Sequence, residues 1–353
     1  DVNGLRLYGD LQVGMGPDDA KQFSSLFHPD YRVGAPPSRT NPEGQPWGYA
    51  VFHPEQVESG AAGTFLRERL ARMLDGLDGI RIDHPHGLVC PWVYKADTPS
   101  DLAAIRSGAR FYESFDLPDH PNLALYAIAR VEQVNAREKR HADLRTFELD
   151  DEQVARYSKL FDIVIETVRA AGGDVSSDIA CEVLSTLPYP LERVMQRHGL
   201  GRFRVIQKAQ LDKPDDVYRI ENSEPSDWIM MGNHDTPSIW LLARGWCDGS
   251  RGREWAEYLA DRLMIAANQR EDFVSRTSSE PGQLVQSIFT AMLASRASHV
   301  SVFFPDVFGM TGFYNMPGIV NETNWTLRVP PNFADVYEDR RRRGEALDVA
   351  WCM

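Results

Sequence analysis

Gly79-Ile80-Arg81-Ile82-Asp83-His84 is the stretch whose reading decides the fold. It is short and apolar, and it ends abruptly in charge. Residues alternate across a strand, so Arg81 and Asp83 share one face and Ile80 and Ile82 the other. A strand with apolar residues on one face and an arginine–carboxylate pair on the other suits a parallel sheet whose working residues lie at the strand ends. Similar runs recur along the chain. Leu5–Tyr8 is followed by Gly9-Asp10, Asp178–Cys181 by Glu182, and Trp228–Met231 by Gly232-Asn233-His234-Asp235. Phe203–Gln207 follows a glycine, and Val300–Phe304 precedes Pro305-Asp306. Amphipathic stretches at helical spacing lie between them: Thr64–Leu77, Glu152–Ala171, Arg253–Asn268 and Gln283–Ala297. Strand alternating with helix predicts an α/β fold of the (β/α)8 TIM-barrel type. Six strands are countable where a closed barrel needs eight.

Two stretches interrupt the alternation. Val33–Trp47 carries Pro36, Pro37, Pro42 and Pro46 and reads as a long loop, with 33–48 as a segment over a groove. Residues 112–150, strongly charged from Pro118 to Asp150, read as a helical insertion. The whole of 1–353 otherwise reads as one catalytic barrel. Arg340–Arg343 reads as a solvated helix face.

Composition bounds the function. Of 353 residues 42% are apolar and 25% charged, enough to build a core. Lys plus Arg number 38 against 51 Asp plus Glu, a net charge of −13. That excess argues against a nucleic-acid or anionic-membrane partner, which needs a basic face. No apolar run approaches the ~18 residues that would span a bilayer. Cys90, Cys181, Cys247 and Cys352 are widely spaced and form no CxxC pair, so neither a disulfide framework nor a cysteine zinc site is expected, and a cytoplasmic location is. No basic head with an apolar stretch and a small-residue cleavage site is visible. No glycine-rich phosphate loop precedes a helix, so no cofactor is expected.

The strand-end acids Asp10, Asp83, Glu182, Asp235 and Asp306 are the candidate chemistry. Arg81 beside Asp83 would keep that carboxylate ionised, and His84 and His234 adjoin acids to which they could donate. One ionised and one protonated carboxyl group suit glycoside chemistry, with a third acid binding the flattened sugar ring. Each residue alone has a plainer reading. A strand-end Asp is often a helix N-cap, and Arg-x-Asp is usually a structural ion pair. His-Asp pairs are also metal-ligand material, but no HxH or HExxH spacing supports a metal, so none is expected. Trp47 could simply anchor a loop, and Cys181 should point away from Glu182 and pack.

Taken together the motifs resemble the 4-α-glucanotransferases (amylomaltase, disproportionating enzyme; glycoside hydrolase family 77). Gly79–His84 with Gly87-Leu88 resembles the nucleophile motif, and Gly9-Asp10-Leu11 with Asp18-Asp19-Ala20 resembles the segment at the third barrel strand. Pro36-Pro37 through Gly44-Gln45-Pro46-Trp47-Gly48 is similar to the family's proline-rich loop over the substrate groove. Ala180-Cys181-Glu182-Val183-Leu184, with His198-Gly199-Leu200 and Arg204-Val205-Ile206-Gln207, resembles the acid/base strand and the one after it. Gly232–Thr236 with Gly245-Trp246 resembles the third-acid motif, and Tyr314–Gly318 with Asn324-Trp325 the C-terminal signature.

The resemblance implies a retaining transferase of α-1,4-glucan segments between malto-oligosaccharides. It implies Asp83 as nucleophile, Glu182 as general acid/base and Asp235 as transition-state stabiliser. Arg81, His234, His84 and Asp10 would contact the sugar, and Gln45 and Trp47 would touch it from the loop. Departures stand at Ser38-Arg39, Pro85-His86, Val183 and Asn233. The family's first two strands have no counterpart, so an N-terminally incomplete chain carrying strands three to eight is expected. The alternatives are an α-glucan hydrolase on the same barrel and a non-catalytic or incomplete glucan-binding chain.

Overall fold

The computed structural model describes residues 6–39, 41–99, 102–115, 117–319 and 321–353. The chain divides into two compact units, residues 1–202 and 203–353, each taken in turn.

In the first unit three parallel strands form one sheet: β1 (Tyr8–Leu11), β4 (Gly79–Ile82) and β7 (Ile179–Cys181), in the order β1-β4-β7. Asp10 stands opposite Arg81, and Ile82 opposite Cys181. Strand β4 falls where its sequence places it. The first strand lies three residues later than expected, because its pairing with β4 runs from Tyr8 to Leu11 and so puts Asp10 inside the strand. Leu5 lies outside the described residues.

Ile80, Ile82, Ile179 and Cys181 bury their side chains in one cluster with Leu66 and Leu70 of the Ala61–Leu74 helix and with Phe161, Val164 and Val168 of the Asp151–Ala170 helix. These two helices therefore cover the apolar face of the sheet, and the face carrying Arg81 is left to polar groups. Cys181 is in this core, as its alternation with Glu182 requires, and burial pushes its thiol up to about 12. The long helix starts in a reciprocal cap: Asp150 Oδ1 accepts from Gln153 N (2.9 Å), and Gln153 Oε1 accepts from Asp150 N (3.0 Å).

The proline-rich stretch is shorter as a loop than its composition suggests. Val33–Ala35 ends β2 (Phe27–Ala35) and Gln45–Trp47 begins β3 (Gln45–Phe52), so only residues 36–44 connect them. The second sheet is antiparallel, in the order β3-β2-β5-β6, with β5 at Trp92–Lys95 and β6 at Ala109–Arg110. β3 is its edge strand, where Pro46 needs no ladder donor. Tyr31, Val33, Val51, Val93 and Phe111 form that sheet's own core.

Residues 118–150 are not α-helical, contrary to the expected helical insertion. They hold two short 3-10 turns, Pro121–Tyr126 and Val131–Gln133, in otherwise irregular chain. Pro118 and Pro121 disfavour a helix there. Charged side chains satisfy the backbone and one another instead: Arg110 donates to the carbonyls of Ala142 (2.8 Å) and His141 (2.9 Å), and Arg140 grips Asp119 with both guanidinium nitrogens (2.6 and 2.9 Å).

In the second unit β8 (Phe203–Val205), β9 (Trp228–Met230) and β10 (His299–Ser301) form another parallel sheet, in the order β10-β9-β8. The helix expected over Arg253–Asn268 is two helices, Arg251–Arg262 and Ala267–Ser279, because Met264 turns the chain with φ of +51°. The last expected strand ends at Ser301. Phe304–Val307 is a helical turn, and Asp306 lies buried within it. No described helix is long and apolar enough to cross a membrane. The four cysteines are free thiols.

Candidate active site

The register of the first unit's parallel sheet gathers the charged groups. The ladder continues one residue past each strand: Asp83 N donates to Leu11 O, and Glu182 N to Ile82 O, both at 3.0 Å. Asp10, Arg81, Asp83 and Glu182 thus come to one face from three adjacent strands. Arg81 is the hub. Its Nη1 donates to Asp10 Oδ1 (2.5 Å), and its Nη2 reaches Asp83 Oδ1 (3.1 Å) and Glu182 Oε2 (2.7 Å). Glu182 is 3% exposed, so one cation serves a deeply buried carboxyl group and two more open ones.

His84 completes the cluster. Its Nδ1 is 3.8 Å from Asp83 Oδ1 and 3.6 Å from Glu182 Oε2. Its backbone takes φ of +43°, a conformation that few non-glycine residues adopt and that recurs at functional sites. Burial alone would lower the imidazole pKa, but the nearby carboxyl groups of Asp83 and Glu182 and their charges raise it to about 9. Burial would raise the Asp83 carboxyl. The close approach of His84 and the charges of His84 and Arg81 hold it instead well below the usual carboxylate range. Arg81 likewise stays charged: burial opposes its charge, and Glu182, Asp83 and Asp10 more than offset that.

Asp83, His84 and Glu182 each offer a ligand atom, and those atoms all lie within 4.8 Å of one another. They are close enough to share a metal ion. Arg81 already supplies a positive charge to both carboxylates, so the donor set has its cation without a metal.

The loop residues join from the side. Trp47 packs edge-to-face on His84, with ring centres 4.8 Å apart, and its Nε1 donates to Gln45 Oε1 (2.9 Å). Beneath Trp47, His84 and Glu182 opens a pocket with about 650 Å³ of atom-free space, its mouth included. Ser38, His86, Ser185 and Thr186 help to line it. Two of the departures noted in the sequence, Ser38 and His86, therefore face the same space. Burial drives the His86 imidazole down to about 3, so it is neutral, and its ring nitrogen lies 3.2 Å from the Thr186 carbonyl.

His234 and Asp235 belong to the second unit, at the end of β9. Asn315 Nδ2 donates to Asp235 Oδ1 at 2.6 Å, and Asn315 N donates to His234 O at 3.0 Å. Asp235 N in turn donates to Asn233 Oδ1 (3.2 Å), which ties the motif to itself. Asn315 was within reach of sequence reasoning, since it lies in the C-terminal signature, but nothing in the local pattern says what it holds. Asp306 does not join the acids. Its Oδ1 accepts from Ile239 N (2.8 Å) at the start of the Ile239–Cys247 helix, and its backbone carbonyl accepts from Trp240 Nε1 (2.8 Å). Asp306 thus plays a helix-capping role, from within a helical turn and not from a strand end.

Parallel β-strands backed by helices, with an arginine-bridged carboxylate pair where adjacent strands end, define an α/β fold whose charged groups gather at its strand termini. The family model described as 4-alpha-glucanotransferase, glycoside hydrolase family 77, matches residues 1–334, and the chain belongs to that family. It is 29% identical over 133 residues to a 4-alpha-glucanotransferase of Haemophilus influenzae, a match covering 37% of this chain and 17% of that protein. It is 32% identical over 88 residues to one of Oryza sativa subsp. japonica, covering 24% of this chain and 9% of that one. Its fold is similar to that of amylomaltase from Streptococcus agalactiae in complex with acarbose, with a TM-score of 0.62 at 16% identity. That likeness takes in 98% of this chain and 58% of the other, so the chain spans little more than half the length of the enzyme it resembles.

Proposed function

We propose that this protein is a retaining 4-α-glucanotransferase that moves α-1,4-glucan segments between malto-oligosaccharides. The observation that carries the reading is the pair Asp83 and Glu182, at the ends of adjacent parallel strands and joined by one Arg81 nitrogen, in a chain of this family. The nearest oxygens of the two carboxyl groups lie within 4.8 Å. Inverting enzymes need ~6.5–9.5 Å to seat a water between their carboxyl groups, and retaining enzymes need ~5–5.5 Å. The short separation supports direct attack by the enzyme. On this reading the six parallel strands belong to a (β/α)8 barrel.

Asp83 is the nucleophile. It is kept anionic by Arg81 and His84, and it attacks the anomeric carbon to form a β-linked glucosyl-enzyme. Glu182 is the group that gives a proton to the departing glycosidic oxygen. Glu182 then takes a proton from the 4-hydroxyl of an incoming glucan, which attacks and restores the α-linkage. Asp235 stabilises the charge that develops on the ring, held in orientation by Asn315. Arg81, Asp10, His84 and His234 hold the sugar, and Trp47 with Gln45 covers it and keeps water out.

Incubation with maltotriose tests this reading. Transfer yields maltotetraose and longer products alongside glucose and maltose. Glucose and maltose alone would make the protein a hydrolase, and no turnover with glucan binding retained would make it a binding chain.

A further inference from the structure

We infer that Trp325 is a sugar-stacking platform, on which a second glucosyl unit rests beside the one held by His234. The inference rests on the glucan reading above and adds to it a binding residue outside the acid motifs. Trp325 is 50% exposed, so one face of its indole is open to solvent. Its backbone has φ of +64°, a region that bulky residues avoid unless their surroundings hold them there.

The surroundings do hold it. Trp325 N donates to Tyr314 O at 2.7 Å, and the neighbouring Asn324 donates to Ile319 O (2.8 Å) while accepting from Met316 N (3.2 Å). Tyr314 packs against the indole edge-to-face, with centres 5.2 Å apart and planes at 83°. The His234 ring lies 5.6 Å away, tilted by 32°. A loop that pins its tryptophan at both flanks, in a conformation tryptophan disfavours, and leaves half of it in solvent is not serving the core. What it offers is a fixed flat apolar face next to a histidine that follows a strand end. The C–H face of a pyranose is the complementary surface for it.

Trp325→Phe and Trp325→Leu, made in the full chain, separate a platform from packing. Both side chains are bulky and apolar, and only phenylalanine keeps a flat face. Calorimetric titration with maltoheptaose is expected to give W325F an affinity within threefold of the wild type and W325L one about tenfold weaker. In maltotriose transfer the W325L loss should fall on KM and not on kcat. Equal affinities in the two variants, or a W325L defect confined to kcat, would overturn the platform. If the unaltered protein bound no maltoheptaose, the glucan reading itself would fall and the platform with it. Binding that is indifferent to residue 325 removes the platform alone.

Discussion

Arg81 shows how much one side chain settles. A guanidinium has a fork of donors and keeps its charge even when buried, so it can hold several carboxylates in one arrangement. Here it contacts Asp10, Asp83 and Glu182 together. Glu182→Gln keeps an oxygen for Arg81 and removes the carboxyl group to which the proposed mechanism assigns proton transfer. Turnover of maltotriose in that variant should fall about 10²–10⁴-fold, with glucan affinity within threefold of the wild type by calorimetry. Parallel loss of binding would mean that Glu182 holds sugar and does not transfer a proton. His84 carries a pH signature. Its folded pKa, about 9, stands above the ordinary value of 6.5, so its pairing with Asp83 and Glu182 stabilises fully below pH 6.5 and fades as pH rises through 9. Asparagine tolerates the positive φ, so His84→Asn is the fitting control. The melting temperature of the wild type should decline relative to that variant between pH 6.5 and 9. A constant difference across that range would show that the imidazole is not charged.

Among the elements, the Ile239–Cys247 helix depends on a residue far along the chain. Asp306 accepts its Ile239 N–H while Asp306 Oδ2 is buried without a hydrogen-bond partner. Burial raises this carboxyl to about 7, and the hydrogen bond from Ile239 offsets only part of that. The native state therefore binds a proton more tightly than the unfolded chain, and stability drains as pH climbs from about 4 through 7. Asp306→Asn keeps the cap acceptor and removes the titration. Its urea midpoint should overtake that of the wild type above pH 7, on a scale of about 1.4 kcal/mol per unit of pKa shift. Parallel pH profiles for the two proteins would count against this account. The same residue shows where element-level reading of the sequence stops. Strand-end position marked Asp306 as a site acid, but the helix whose first N–H it accepts begins 67 residues earlier. The antiparallel β2–β3 hairpin was hidden for a related reason. Proline content signals a loop, and an edge strand can carry Pro46 at little cost.

For the whole molecule the relevant quantity is charge. A net −13 gives no long-range attraction to polyanions, and a malto-oligosaccharide is neutral. Transfer rates should therefore change less than about twofold between 0.05 and 0.5 M salt, a range over which charge-steered binding would collapse. A steep salt dependence would point to a charged substrate.

Local composition fixed the six parallel strands to within a few residues, the covering helices and the identity of the acids, because apolar periodicity and strand-end polarity are written within ten-residue windows. The tertiary structure alone decided which acids share a cation. Asp10 and Arg81 are 71 positions apart and Glu182 lies 101 beyond Arg81, and only the register of β1, β4 and β7 makes them neighbours. It also decided that Asn315 grips Asp235 across 80 residues, and that Arg110 satisfies the carbonyls of His141 and Ala142 in the irregular stretch 118–150. Contacts of that separation are set by packing, and no short window of sequence contains both partners.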